Sequence, residues 1–133
     1  MRSKKFNVRK ECLEEVRSFI SQWSEAESIT PKVSVKLAIC SDEIVSNVVF
    51  YSNASSLEIQ CDMEDDEIIL TFTDDGKAFN PLEDAQEPNL EIDADKRGVG
   101  GLGIFMVKQM ASDLTYNRPE NSNIFVIKIS LSR

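Results

Sequence analysis

The segment Arg97-Gly98-Val99-Gly100-Gly101-Leu102-Gly103-Ile104-Phe105-Met106-Val107 holds four of the five glycines in a chain of 133 residues. Glycine has no Cβ, so another group can come very close to its backbone. A glycine run leading straight into an apolar helical pattern makes a loop of bare N–H groups backed by a first helical turn. Such a loop can hold an anion such as phosphate. The pattern predicts a helix over residues 102–111, with Leu102, Phe105, Met106, Val107 and Met110 buried and Lys108 and Gln109 facing water.

Gly98 to Gly103 also satisfies G-x-G-x-x-G, the spacing of a dinucleotide-binding turn. That turn follows a strand, whereas Asp93-Ala94-Asp95-Lys96 precedes the glycines here. A protein-kinase glycine loop shares the spacing, but the catalytic-loop and metal-binding signatures of that fold are missing. Upstream of the glycines, residues 82–97 are rich in Asp, Glu and Pro and show little periodicity, which predicts a mobile lid that leads into them.

The remaining segments supply one domain, residues 1–133, with 41% hydrophobic residues for a single core. A short edge strand over residues 4–8 precedes an amphipathic helix over 10–26, marked by Leu13, Val16, Ile20 and Trp23. Thr30-Pro31 then gives an N-cap followed by proline at the first helical position, opening a helix to about residue 50. Leu57, Ile59, Cys61 and Met63 alternate with polar residues as in a half-buried strand. After the Asp65-Asp66 turn a more continuously apolar strand ends at Asp74-Asp75-Gly76. A last hairpin spans 112–117 and 123–131, with Phe125, Ile127 and Ile129 on one face and Ile124 and Val126 on the other. The order predicts an α+β fold, a two-layer sandwich with a mixed, mostly antiparallel sheet and helices on one face.

A net charge of −8 with scattered basic residues argues against a nucleic-acid partner. No apolar run approaches the ~20 residues that cross a bilayer, and the charged N-terminus lacks a signal-like core, so a cytoplasmic protein is expected. Cys12, Cys40 and Cys61 read as buried thiols. Without any histidine they assemble no zinc site of ordinary spacing. The same lack leaves acid–base chemistry to carboxylates, lysine, tyrosine or cysteine.

Two further clusters carry chemistry. Glu43 and Asn47, four residues apart, share one helix face beside the apolar stripe; together they can take a proton and ligate a hard cation, or they can simply decorate a solvated face. Asp74 ends the apolar strand, where a carboxylate can accept a hydrogen bond from a ligand's amino group. Gly76 lets the chain bend over a flat ring, though Asp-Asp-Gly also suffices as turn chemistry.

In this order, Asp42-Glu43-Ile44-Val45-Ser46-Asn47, Asp74-Asp75-Gly76 and Gly98 to Val107 resemble the three nucleotide-binding boxes of the GHKL (histidine kinase-like) ATPase superfamily. The runs from Asp74 to Pro81 and from Gly100 to Met110 are most similar to bacterial anti-sigma-factor serine/threonine-protein kinases. The resemblance implies ATP and Mg²⁺ as cofactors, Glu43 as general base, Asn47 as the Mg²⁺ ligand and Asp74 as acceptor for the adenine amino group. Gly76 and Ala78 would border the adenine, and Gly98, Gly100, Gly101, Leu102 and Gly103 would wrap the phosphates. Lys96 and Arg97, at the end of the lid, are candidates by position for charge on the terminal phosphate.

The implied function is transfer of a phosphoryl group to a serine of a protein antagonist (an anti-anti-sigma protein), with a sigma factor as second partner and a homodimer as the implied assembly. A nucleotide-gated binding module without kinase activity is the alternative, and a detached histidine-kinase catalytic domain is a third reading. Tyr51 stands where relatives commonly carry a histidine, and the acidic lid departs from the family pattern.

Overall fold

Thr30 sets the frame for the longest helix. Its extended backbone and its hydroxyl, which accepts from Val33 N at 3.5 Å, precede Pro31, whose missing N–H costs nothing at a helix start. The computed structural model describes residues 1–80 and 101–132. In it the chain runs β1 (Arg2–Asn7), α1 (Cys12–Ala26), α2 (Pro31–Tyr51), β2 (Ser56–Glu64), β3 (Glu67–Asp74), α3 (Gly101–Met110), β4 (Asp113–Asn117) and β5 (Asn123–Ser130). The lid predicted over 82–97 lies outside the described residues. Among those described, no helix is long and apolar enough to cross a membrane.

The strands form one sheet in the order β1-β2-β3-β5-β4, and each pairing between described strands is antiparallel. Alternation along the strands buries one face and leaves the other partly open. On the buried face Ile59 pairs with Phe72 and Phe72 with Phe125; Cys61 pairs with Leu70 and Leu70 with Ile127. Those rows share one core with Val16, Phe19, Ile20 and Trp23 of α1, Val33, Leu37, Ile44 and Val48 of α2, and Ile104 and Val107 of α3. The expected α+β sandwich with helices on one face is therefore the observed one.

Local signals close the elements. Asn53, at φ 55°, ends the run from α2 to β2 in the left-handed region that asparagine tolerates, and Asp65, also at φ 55°, turns β2 into β3. Arg17 of α1 donates to Asp42 of α2 at 3.0 Å and to Glu14 at 2.6 Å; the pairs are exposed and add little stability. The three cysteines are buried and free, and burial pushes the Cys40 and Cys61 thiols up to about 11 and about 12. They are inert core residues.

One expectation fails. In α3 the buried residues are Ile104 and Val107, while Phe105 and Met106 are exposed and Met110 is half-buried. The side chain of Leu102 lies outside what is described. Apolar residues occupy nearly every side of this helix, so its pattern leaves the rotation open. Packing sets it: Gly103 abuts Glu43 of α2, and Ile104 next to it and Val107 one turn on point inward.

Candidate functional site

The apolar rows of the sheet end in one that turns polar across β3 and β5. Register places Asp74, the last residue of β3, between Leu57 of β2 and Asn123, the first of β5. Asp74 is buried, and its Oδ1 accepts from Gly76 N at 2.8 Å and from Asn123 Nδ2 at 3.0 Å. Burial is the main influence on its carboxyl and raises its pKa, partly offset by those two donors.

Asn123 holds the bend that follows. Its Nδ2 also donates to Lys77 O at 2.7 Å, while its Oδ1 accepts from Tyr116 Oη and from Arg118 Nη1, the latter at 2.8 Å. Arg118 Nη1 reaches Gly76 O as well, at 3.0 Å. Across the bend, Lys77 N donates to Ser52 O at 2.7 Å, and a Cβ on Gly76 would run into that same carbonyl. Only glycine fits where the chain leaves β3 and crosses the end of α2.

Asp75, the next residue, has a different task. It is exposed, yet Ser55 N, Ser56 N and Ser55 Oγ donate to it at 2.8, 3.0 and 2.6 Å. Those donors hold its carboxyl well down, at about 2. The clamp fixes the start of β2 beside the bend.

Helix α2 forms the facing wall. Asn47 is 3% exposed, and its Nδ2 lies 3.5 Å from Glu43 Oε1 one turn earlier. Among the buried side-chain polar atoms of the described residues, its Oδ1 is the one left without a hydrogen-bond partner. Such an orphan is costly unless a ligand supplies the missing interaction. Glu43 is half-buried, and burial raises its carboxyl pKa, with the Asn47 amide opposing.

Between α2 and the polar row lies a narrow recess of about 20 Å³, with Ile44, Val48, Phe72 and Phe125 as apolar walls and Asn47 and Asp74 as polar ones. That is room for about one water, so a flat ring system enters only as these walls part. An apolar slot with one hydrogen-bond acceptor at its end and an unsatisfied amide oxygen at its side suits a nitrogen base joined to a charged group.

The structure brings Asn47 and Asp74 to this recess, with Glu43 hydrogen-bonded to Asn47, Gly76 to Asp74, and Gly103 against Glu43. Ala78 is exposed, and Phe79 next to it lines the recess. Gly101 and Leu102 open α3, so the helix begins at the end of the glycine run, as expected. Lys96, Arg97, Gly98 and Gly100 lie outside the described residues. The sequence reading missed Asn123, Tyr116, Arg118 and the clamp at Asp75. A signal existed for Asn123: it occupies the first inward position of a strand whose later inward positions are Phe125, Ile127 and Ile129.

The family model described as "Histidine kinase-like ATPase domain" matches residues 6–128. A search of curated proteins finds no match. Among solved structures, the chain is similar to the Erythrobacter litoralis EL346 blue-light activated histidine kinase, with a TM-score of 0.58 and 18% identity over 78% of this chain and 32% of that one. It is also similar to the Acinetobacter baumannii histidine kinase AdeS, with a TM-score of 0.55 and 17% identity over 100% of this chain and 69% of that one. For the catalytic domain of histidine kinase ThkA the TM-score is 0.53, at 14% identity over 98% of this chain and 97% of that domain. The chain thus spans about a third of the light-activated kinase and nearly all of an isolated catalytic domain. At these identities the likeness is one of fold. The family match covers most of the chain, which belongs to the histidine kinase-like ATPase domains.

Proposed function

We propose that this histidine kinase-like ATPase domain binds ATP with Mg²⁺ and passes a phosphoryl group to a serine of a protein antagonist, while a sigma factor is its second partner. The observation that carries the reading is the buried, unpartnered Asn47 Oδ1 beside Glu43 and across the recess from Asp74. An amide oxygen is a hard-cation ligand, so the orphan fits Mg²⁺. The apolar walls and acidic end of the recess match the chemistry of an adenine, with Asp74 as acceptor for its amino group once the walls part. When bound, ATP with Mg²⁺ supplies the phosphoryl group and neutralises charge on it.

The chain's own residues do the rest. Asp74 selects the base, because its two inner donors fix its orientation while burial makes an unmet carboxylate costly. Glu43 takes the serine hydroxyl proton on a carboxylate oxygen, and its raised pKa makes it a stronger base than an exposed glutamate. The N-terminus of α3, starting at Gly101, offers backbone N–H groups to phosphate oxygens. No histidine occurs in these 133 residues, so a histidine acceptor would have to be supplied from outside them.

The test is phosphoryl transfer from γ-labelled ATP to a degenerate serine peptide library. The reading expects acid-stable label on serine and a drop of about 10²–10⁴-fold for Glu43→Ala. Nucleotide binding without any transfer would replace it with a nucleotide-gated binding module. Acid-labile label on a histidine peptide would replace it with a histidine kinase acting in trans.

A further inference from the structure

We propose that the free edge of β1 is a docking site for an extended acidic segment of a partner protein, added to the sheet as a sixth strand. Strand β1 ends the sheet order and pairs only with β2, so its outer row of backbone groups has no strand beside it among the described residues. Five of its six residues are exposed. An edge of this kind is a template for strand addition, in which main-chain hydrogen bonds give affinity and side chains give selectivity.

Charge selects the occupant. The first ten residues contain Arg2, Lys4, Lys5, Arg9 and Lys10 and no acid, whereas all 23 Asp and Glu of this net-negative chain lie beyond them. Arg9 is paired with Glu15 at 3.3 Å. Arg2, Lys4 and Lys5 close no ion pair among the described residues, although Lys5 stands opposite Glu58 of β2. Lys4 lies over the Phe6 ring, 5.4 Å from its centroid. Basic residues on an edge also serve to repel a second identical edge, and they disfavour β1 of another copy as the occupant. An acidic strand meets attraction on both faces: Lys5 on the outer one, Arg2 and Lys4 on the side of Phe6.

The edge is held ready. Phe6 is buried in the core and meets Phe19 edge-to-face at 5.7 Å. Beyond β1, Val8 N donates to Ser55 O at 3.0 Å, and Asp75 clamps Ser55 and Ser56. A rigid edge loses little entropy when a strand is added. Docking at this edge does not depend on nucleotide binding.

The test uses the ¹⁵N-labelled full chain and a blocked hexapeptide of alternating Glu and Val, with its Lys-for-Glu counterpart as control. The expected result is amide shifts centred on residues 2–8 and slowed hydrogen exchange in β1 with the acidic peptide, and neither with the basic one. The double variant Lys4→Glu, Lys5→Glu should bind the acidic peptide about tenfold more weakly and gain binding to the basic one. The two peptides on wild type decide the matter even if that variant folds poorly. Shifts centred elsewhere, equal response to both peptides, unslowed β1 exchange, or no response up to millimolar peptide would overturn the proposal. So would tighter binding to phosphatidylserine vesicles than to the peptide, or self-association of wild type through β1.

Discussion

Asp74 and Asp75 are neighbours on the chain with opposite electrostatics, and each implies its own pH dependence. Three hydrogen-bond donors hold Asp75 at about 2, below the ordinary 3.8 of an unfolded aspartate. A depressed carboxyl contributes stability above the unfolded value and loses it as pH falls through the folded one. Urea unfolding between pH 5 and pH 2 should therefore show a shallower acid limb for Asp75→Asn than for wild type. For Asp74 the sign is reversed: burial raises its pKa, so ionising it costs stability as pH rises through the folded value. Asp74→Asn keeps the acceptor for Gly76 N and removes that cost, so its thermal midpoint at pH 7 should lie above wild type. Asp74 was legible in the sequence because a carboxylate ending an apolar strand stands out. The partners were not: Asn123 is 49 residues away and meets Asp74 only through strand register. Removing that partner by Asn123→Ala frees Asp74, Lys77 O and Tyr116 at once and should cost about 1–3 kcal/mol in urea denaturation.

Elements with a clean period were readable from residues alone. The Thr30-Pro31 start of α2 and the alternation of β2 and β5 appear within a residue or two of where the pattern put them. Helix α3 was readable as a helix but not as a face. With Leu102, Ile104, Phe105, Met106, Val107 and Met110 in ten residues, hydrophobicity points almost everywhere, and only the seat of Gly103 on Glu43 fixes which side is buried. The consequence is measurable by urea denaturation. Ile104→Ala should cost about 2–5 kcal/mol, as for a fully packed aliphatic side chain, while exposed Phe105→Ala should stay within about 0.5 kcal/mol of wild type.

Across the molecule, one sheet packs apolar rows against three helices and ends in a polar row beside α2. Fold class was legible from the order of helices and hairpins. Strand order was not, because β5 reaches β3 only after α3 and β4 have intervened, a choice made by packing between distant segments. That crossover puts Asn123 opposite Asp74, at the recess proposed for the base. The most direct test is titration calorimetry of ATP, with and without Mg²⁺, on wild type, Asp74→Asn and Glu43→Ala. Wild type should bind, Asp74→Asn should bind at least about tenfold more weakly, and Glu43→Ala should keep its affinity. A wild-type chain that binds no ATP, or an Asp74→Asn variant that binds it as tightly as wild type, would contradict the nucleotide site.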